Sequence, residues 1–98
     1  MPRQFLQPGS IAVDRHDNVY VTDGSTGLVQ QFTSAGKLLA AWGAARGAGA
    51  VQFGIPRGVA VDAKGNIYVT SVDSNGAIFI NGRITKLSPT GKLLAVWK

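Results

Sequence analysis

Short apolar runs of alternating character recur along the chain, each closed by a cluster of Gly, Asp, Asn or Ser. SIAV (10–13), NVYVT (18–22), LVQQF (28–32) and LLAAW (38–42) are followed by GVAV (58–61), NIYVT (66–70), RITKL (83–87) and LLAVW (93–97). Runs of this length, rich in β-branched and aromatic residues and bounded by turn formers, predict β-strands. Turn chemistry separates them. DRHDN and DAKGN join the first and second runs of each set, with Gly65 at the point that requires positive φ and Asp17 tolerating it in the other set. TSAGK and SPTGK join the third and fourth runs, placing Gly36 and Gly91 where a three-residue hairpin needs a left-handed residue.

The two sets are one unit written twice. QFLQPGSIAVDRHDNVYVTD (4–23) aligns with QFGIPRGVAVDAKGNIYVTS (52–71) at ten identical positions, and LVQQFTSAGKLLAAW (28–42) aligns with RITKLSPTGKLLAVW (83–97). The offset is 48 residues in the first block and 55 in the second, so seven residues are added in the second unit between Ser71 and Arg83. That segment falls in SNGAIFINGRITKL, where an Asn-Gly pair between β-prone runs signals a tight hairpin. A unit of about 45 residues built as a four-stranded meander is the pattern of a propeller blade. The expectation is an all-β chain of two four-stranded antiparallel blades. Blade 1 spans 4–43, a Gly/Ala-rich loop 44–51, and blade 2 spans 52–98 with an inserted hairpin at about 72–82.

The shared pattern F..P.GVAVD..GNIYVT......RI.K...GK.L..W closely resembles the NHL repeat, and QFGIPRGVAVDAKGNIYVT is similar to its consensus. The resemblance covers residues 4–97. It implies a β-propeller, usually of six blades, and admits several functions: RNA-binding modules, receptor sensor domains, protein-interaction platforms and lyases. It also implies a binding rim formed by the long inter-blade connection (43–57), the loop between second and third strands (23–27) and the insert (72–82). Carried onto this chain, that rim holds the candidate ligand-binding residues Arg46, Arg57, Asp73, Asn75, Phe79 and Arg83, with Asn81 beside them. Arg57, just before the innermost strand, is expected at the mouth of the central channel. The family's Asp after YVT survives only as Asp23, and the Arg opening the third strand only as Arg83. An Asp23–Arg83 ion pair across a blade boundary is the resulting expectation.

Two blades do not close a ring. An isolated pair would leave one blade face open at either end, with Val13, Val21, Val61, Ile67 and Val69 among the residues at stake. The expected remedies are oligomerisation, with a cyclic homotrimer favoured, or membership of a longer chain.

Charge and chemistry refine this picture. Ten Lys and Arg against five acidic residues, all Asp, give a net charge of +5. The basic residues stand singly, without the clusters of a nucleic-acid stripe, so nucleic acid ranks below a small-molecule, anionic or peptidic ligand. The absence of Cys removes disulfides and thiolate metal sites. GAARGAG lacks the Lys-Ser/Thr ending of a phosphate-binding P-loop. Asp14 and Asp62, at equivalent places, are expected to accept hydrogen bonds from the turns that follow them, and Tyr20, Tyr68, Trp42 and Trp97 to pack the blades. His16 is the single histidine. The reading is a non-enzymatic binding or assembly module with no cofactor, no catalytic residues and no metal ligands. A propeller-type lyase or lactonase with metal ligands pooled between subunits is the first alternative, and an RNA-binding NHL module the second. The chain shows no export signal and no run long enough to span a membrane, and its compartment is open.

Overall fold

The computed structural model describes residues 8–43, 55–74 and 79–98. The eight strands are β1 (Pro8–Val13), β2 (Val19–Asp23), β3 (Leu28–Phe32), β4 (Leu38–Trp42), β5 (Ile55–Val61), β6 (Ile67–Ser74), β7 (Phe79–Leu87) and β8 (Leu93–Trp97). They form two antiparallel four-stranded sheets in sequential order, β1-β2-β3-β4 and β5-β6-β7-β8. Positive φ falls on Asp17 (66°) and Gly65 (87°) in the first turns and on Gly36 (91°) and Gly91 (90°) in the last. Only glycine takes these latter angles without cost.

The insert lengthens the central hairpin of the second sheet. Val72 pairs with Gly82, Asp73 with Asn81 and Ser74 with Phe79, with a register shift between Asp73 and Ser74. Asn81 and Gly82 therefore lie within a strand, and residues 75–78 lie outside the described residues. Two Asn-Gly pairs compete in this segment, and ladder pairing from Ile67–Leu87 upward leaves the second one no turn to make.

The sheets pack face to face through β1 and β2 against β5. The core joins Tyr20 and Val29 of the first sheet to Ile67, Val69 and Leu87 of the second, with Ala12, Trp42, Val59 and Val61 packed against it. Burial of such side chains stabilises by roughly 1.5–3 kcal/mol each. The cross-strand register shows which faces meet. Ala12, Tyr20 and Gln31 share one face of the first sheet. It lies on the Val59–Val69–Thr85 and Val61–Ile67–Leu87 rows of the second. Of the four valines and one isoleucine expected to be at risk, only Val13 is exposed; Val21, Ile67 and Val69 are buried and Val61 half-buried. The blade 2 residues escape because their row is the one that receives blade 1.

Candidate functional site

The acidic residues nearest to chemistry are spent on turns. Asp14 Oδ1 accepts the amides of His16 (2.8 Å) and Asn18 (3.0 Å), while Oδ2 accepts the Asn18 side chain (3.2 Å) and the Tyr20 hydroxyl (2.9 Å). Asp62 repeats the arrangement with Lys64 (2.9 Å), Asn66 (2.9 and 3.1 Å) and Tyr68 (3.0 Å). Burial pushes the Asp14 carboxyl upward, but the bonds from Asn18, Tyr20 and His16 outweigh it and hold the group below its ordinary value. Asp62 is lowered by the same balance. Burial, then the bond to Asp14 and its charge, push the Tyr20 phenol up to about 12. These are anchors for the first turn of each blade, as the sequence leads one to expect.

Between the two blades on this short-turn side lies a cavity of about 370 Å³ lined by Asp14, Arg15, His16, Gln31, Lys64 and Pro89 among others. Arg15 spans it with a long contact from Nη1 to the Ala63 carbonyl (3.5 Å). The Asp14 carboxylate in the cavity lining is consumed as described, and Gln31 donates to the Tyr20 hydroxyl (3.0 Å).

The opposite rim carries the sequence-derived candidates. Asp23 is buried at the end of β2, where Oδ1 accepts the amides of Ser25 (2.9 Å) and Thr26 (3.2 Å) and the carbonyl accepts Gly27 N (3.0 Å). The loop 23–27 is thus folded around its own aspartate. Arg57 is exposed, and it lies within β5, not before it. Because Pro56 pairs with Ser71 and Gly58 with Thr70, Arg57 is the extra residue of a β-bulge, a device that re-aims a side chain out of the ladder. Gly9 occupies the same bulge in β1, between Pro8 and Ser10. A Cβ there would meet the Thr22 hydroxyl at 3.2 Å and the Arg57 carbonyl at 3.5 Å. That carbonyl accepts the Thr22 hydroxyl (3.3 Å), tying β2 of the first blade to β5 of the second. The bulge was missed in the sequence; Pro-x-Gly at 56–58 is its signal.

Arg83 sits inside β7, four residues past the strand's start, opposite Ser71. The Pro56–Ser71–Arg83 row puts it level with the Arg57 bulge, two strands away, about 10 Å in the hydrogen-bonding direction. The register sets Arg83 on the face of Thr85 and Leu87, and Asp23 on the equivalent face of its own repeat with Val19 and Val21. Ser71, at the position where the first repeat has Asp23, is buried with its hydroxyl unpartnered. Asp73, Phe79 and Asn81 are in the lengthened hairpin, Asp73 and Asn81 as a cross-strand pair. Arg46 and Asn75 lie outside the described residues. Among the described residues no group of three His, Cys, Asp or Glu is placed to hold a metal ion.

Comparison with known proteins agrees with this architecture. Residues 5–32 match the family model of the NHL repeat. The chain is similar in structure to the PQQ-bound form of an aldose sugar dehydrogenase from Streptomyces coelicolor, with a TM-score of 0.61 and 14% sequence identity over 93% of this chain. It spans 29% of that enzyme's length, and at this identity the likeness concerns the fold. No curated protein matches the sequence.

Proposed function

From a chain that carries the NHL repeat in a pair of propeller-type blades, we propose a non-enzymatic binding scaffold whose rim takes a small, anionic or peptidic ligand. The observation that carries this reading is Arg57, exposed on a bulge of the innermost strand, with Arg83 at the same level two strands away. A planar guanidinium re-aimed out of a ladder suits bidentate recognition of carboxylate or phosphate. Titration calorimetry with pyrophosphate and citrate as probes tests it. Arg57→Ala is expected to weaken binding by roughly tenfold or more, the worth of a hydrogen bond to a charged group. Equal affinity of the variant, or no binding at low salt, overturns the reading. Single-stranded RNA over a salt series forms a separate arm, in which tight, steeply salt-dependent binding favours a nucleic-acid module instead.

The structural likeness to a sugar dehydrogenase favours a second reading, catalysis by a cofactor-loaded propeller. Among the described residues, the cavity between the blades is lined by Asp14, Arg15, His16, Lys64 and Pro89, on the rim opposite Arg57. No step is assigned through a quinone. Sugar-dependent dye reduction by the purified chain with added PQQ is the measurement that would raise this reading above the first.

A further inference from the structure

The contacts that join the two blades have a second, unused set of partners, generated by the repeat. Trp42 stacks on Tyr20 (centroids 6.5 Å apart, 16° between planes), and its indole lies against the last turn of blade 2, so that a Cβ on Gly91 would collide with the indole Nε1. Their equivalents are Trp97, stacked on Tyr68 (6.4 Å, 14°), and Gly36. Trp97 is 48% exposed, and a Cβ on Gly36 would meet nothing within 4 Å. Thr22 donates to the Arg57 carbonyl; the equivalents are Thr70, which is exposed, and Gly9. Val59 and Val61 are packed by blade 1, and their equivalents Ile11 and Val13 are 65% and 56% exposed. Val29 is fully buried, and its equivalent Ile84 is 41% exposed. Each of these inter-blade contacts therefore exists once inside the chain and once as two separated halves, one on each outer flank.

We infer that a second copy of this chain is the partner of these flanks. The Ala60–Tyr68–Trp97 face of one copy docks on the Gly9–Val13 strand and the Gly36 turn of the next, repeating the internal interface head to tail. Trp97 then abuts Gly36 of the neighbour, the Thr70 hydroxyl reaches the Gly9 carbonyl, and Ala60 and Tyr68 cover Ile11 and Val13. Val21 and Phe32 are already buried in the single chain, so the new seam runs along β1. The halves sit on different flanks, so association is heterologous and stops only on closure; three copies complete six blades. This holds whether or not the rim takes a ligand, and binding measurements on Arg57 do not bear on it.

The test uses the full chain and native mass measurement at micromolar concentration. The wild type is expected as a closed trimer. Trp97→Lys blocks the head, and Val13→Lys or Gly36→Asn blocks the tail; each variant alone is expected to be a folded monomer. A mixture of head and tail variants keeps one intact pair of flanks and is expected to give a one-to-one dimer and nothing larger. Gly36→Asn suits the left-handed angle and touches nothing within the chain, so it guards against misreading an unfolded variant. A monomeric wild type, a Trp97→Lys variant of wild-type mass, or a mixture that stays monomeric overturns the inference.

Discussion

At the scale of single residues, the best-determined chemistry is the pair of turn carboxylates. Asp14 accepts four hydrogen bonds from its own turn and from Tyr20, so Asp14→Ala is expected to cost about 2 kcal/mol in urea unfolding. The pH dependence has a definite sign on each side. Both carboxyls are held below their ordinary value when folded, so their contribution is complete above the unfolded pKa of about 4 and is lost as pH falls through the folded values. The Tyr20 phenol is raised to about 12. Its contribution is complete below the unfolded value of about 10 and disappears as pH climbs through 12. Thermal midpoints over a pH series should therefore fall in acid and again above pH ~10; Asp14→Asn should flatten the acid limb and shrink the alkaline one. This duty was legible because the Asp recurs at the same offset from a Gly- or Asp-containing turn in both repeats. The bulge at Arg57 was not, since one extra residue in a ladder leaves no periodic trace.

At the scale of elements, all eight strands fall on the runs that alternation and turn residues mark out, and β6 and β7 each extend four residues further because the insert lengthens their hairpin. Duplication made this possible: an ambiguous run such as RITKL is read with the help of LVQQF at the matching place. Alternation does not say which face of a blade is covered. In VYV both Tyr20 and its valine neighbours are apolar, so either face qualified as interior until the packing of β5 on β1 and β2 was known. The two hairpin glycines show how far equivalent sequence is from equivalent environment. Gly36 and Gly91 share φ near 90°, but only Gly91 lies against Trp42. In the Trp97→Lys background, Gly36→Ala is expected to cost about 1–2 kcal/mol of backbone strain. Gly91→Ala should cost more than the strain alone, because the indole must move; parallel denaturant curves check the difference.

At the scale of the whole molecule, two blades bury one interface and leave its counterpart open. Exposed Ile11, Val13, Ile84, Leu93, Leu94, Val96 and Trp97 are a heavy apolar load for the surface of so small a chain. If copies close on one another, folding and association are coupled by mass action, and the thermal midpoint rises with chain concentration. A tenfold dilution that leaves the midpoint unchanged would mean that each chain stands alone. The likeness of this pair to 29% of the length of an aldose sugar dehydrogenase concerns the fold of the blades alone.

The Tyr68–Trp97 stack has an optical corollary. The chain's two indoles sit in matched stacks yet differ in wetting, Trp42 half-sheltered between blades and Trp97 nearly half open to water. The protein therefore carries its own solvatochromic pair: Trp42 supplies a constant reference colour, and Trp97 emits to the red of it for as long as its ring remains wet.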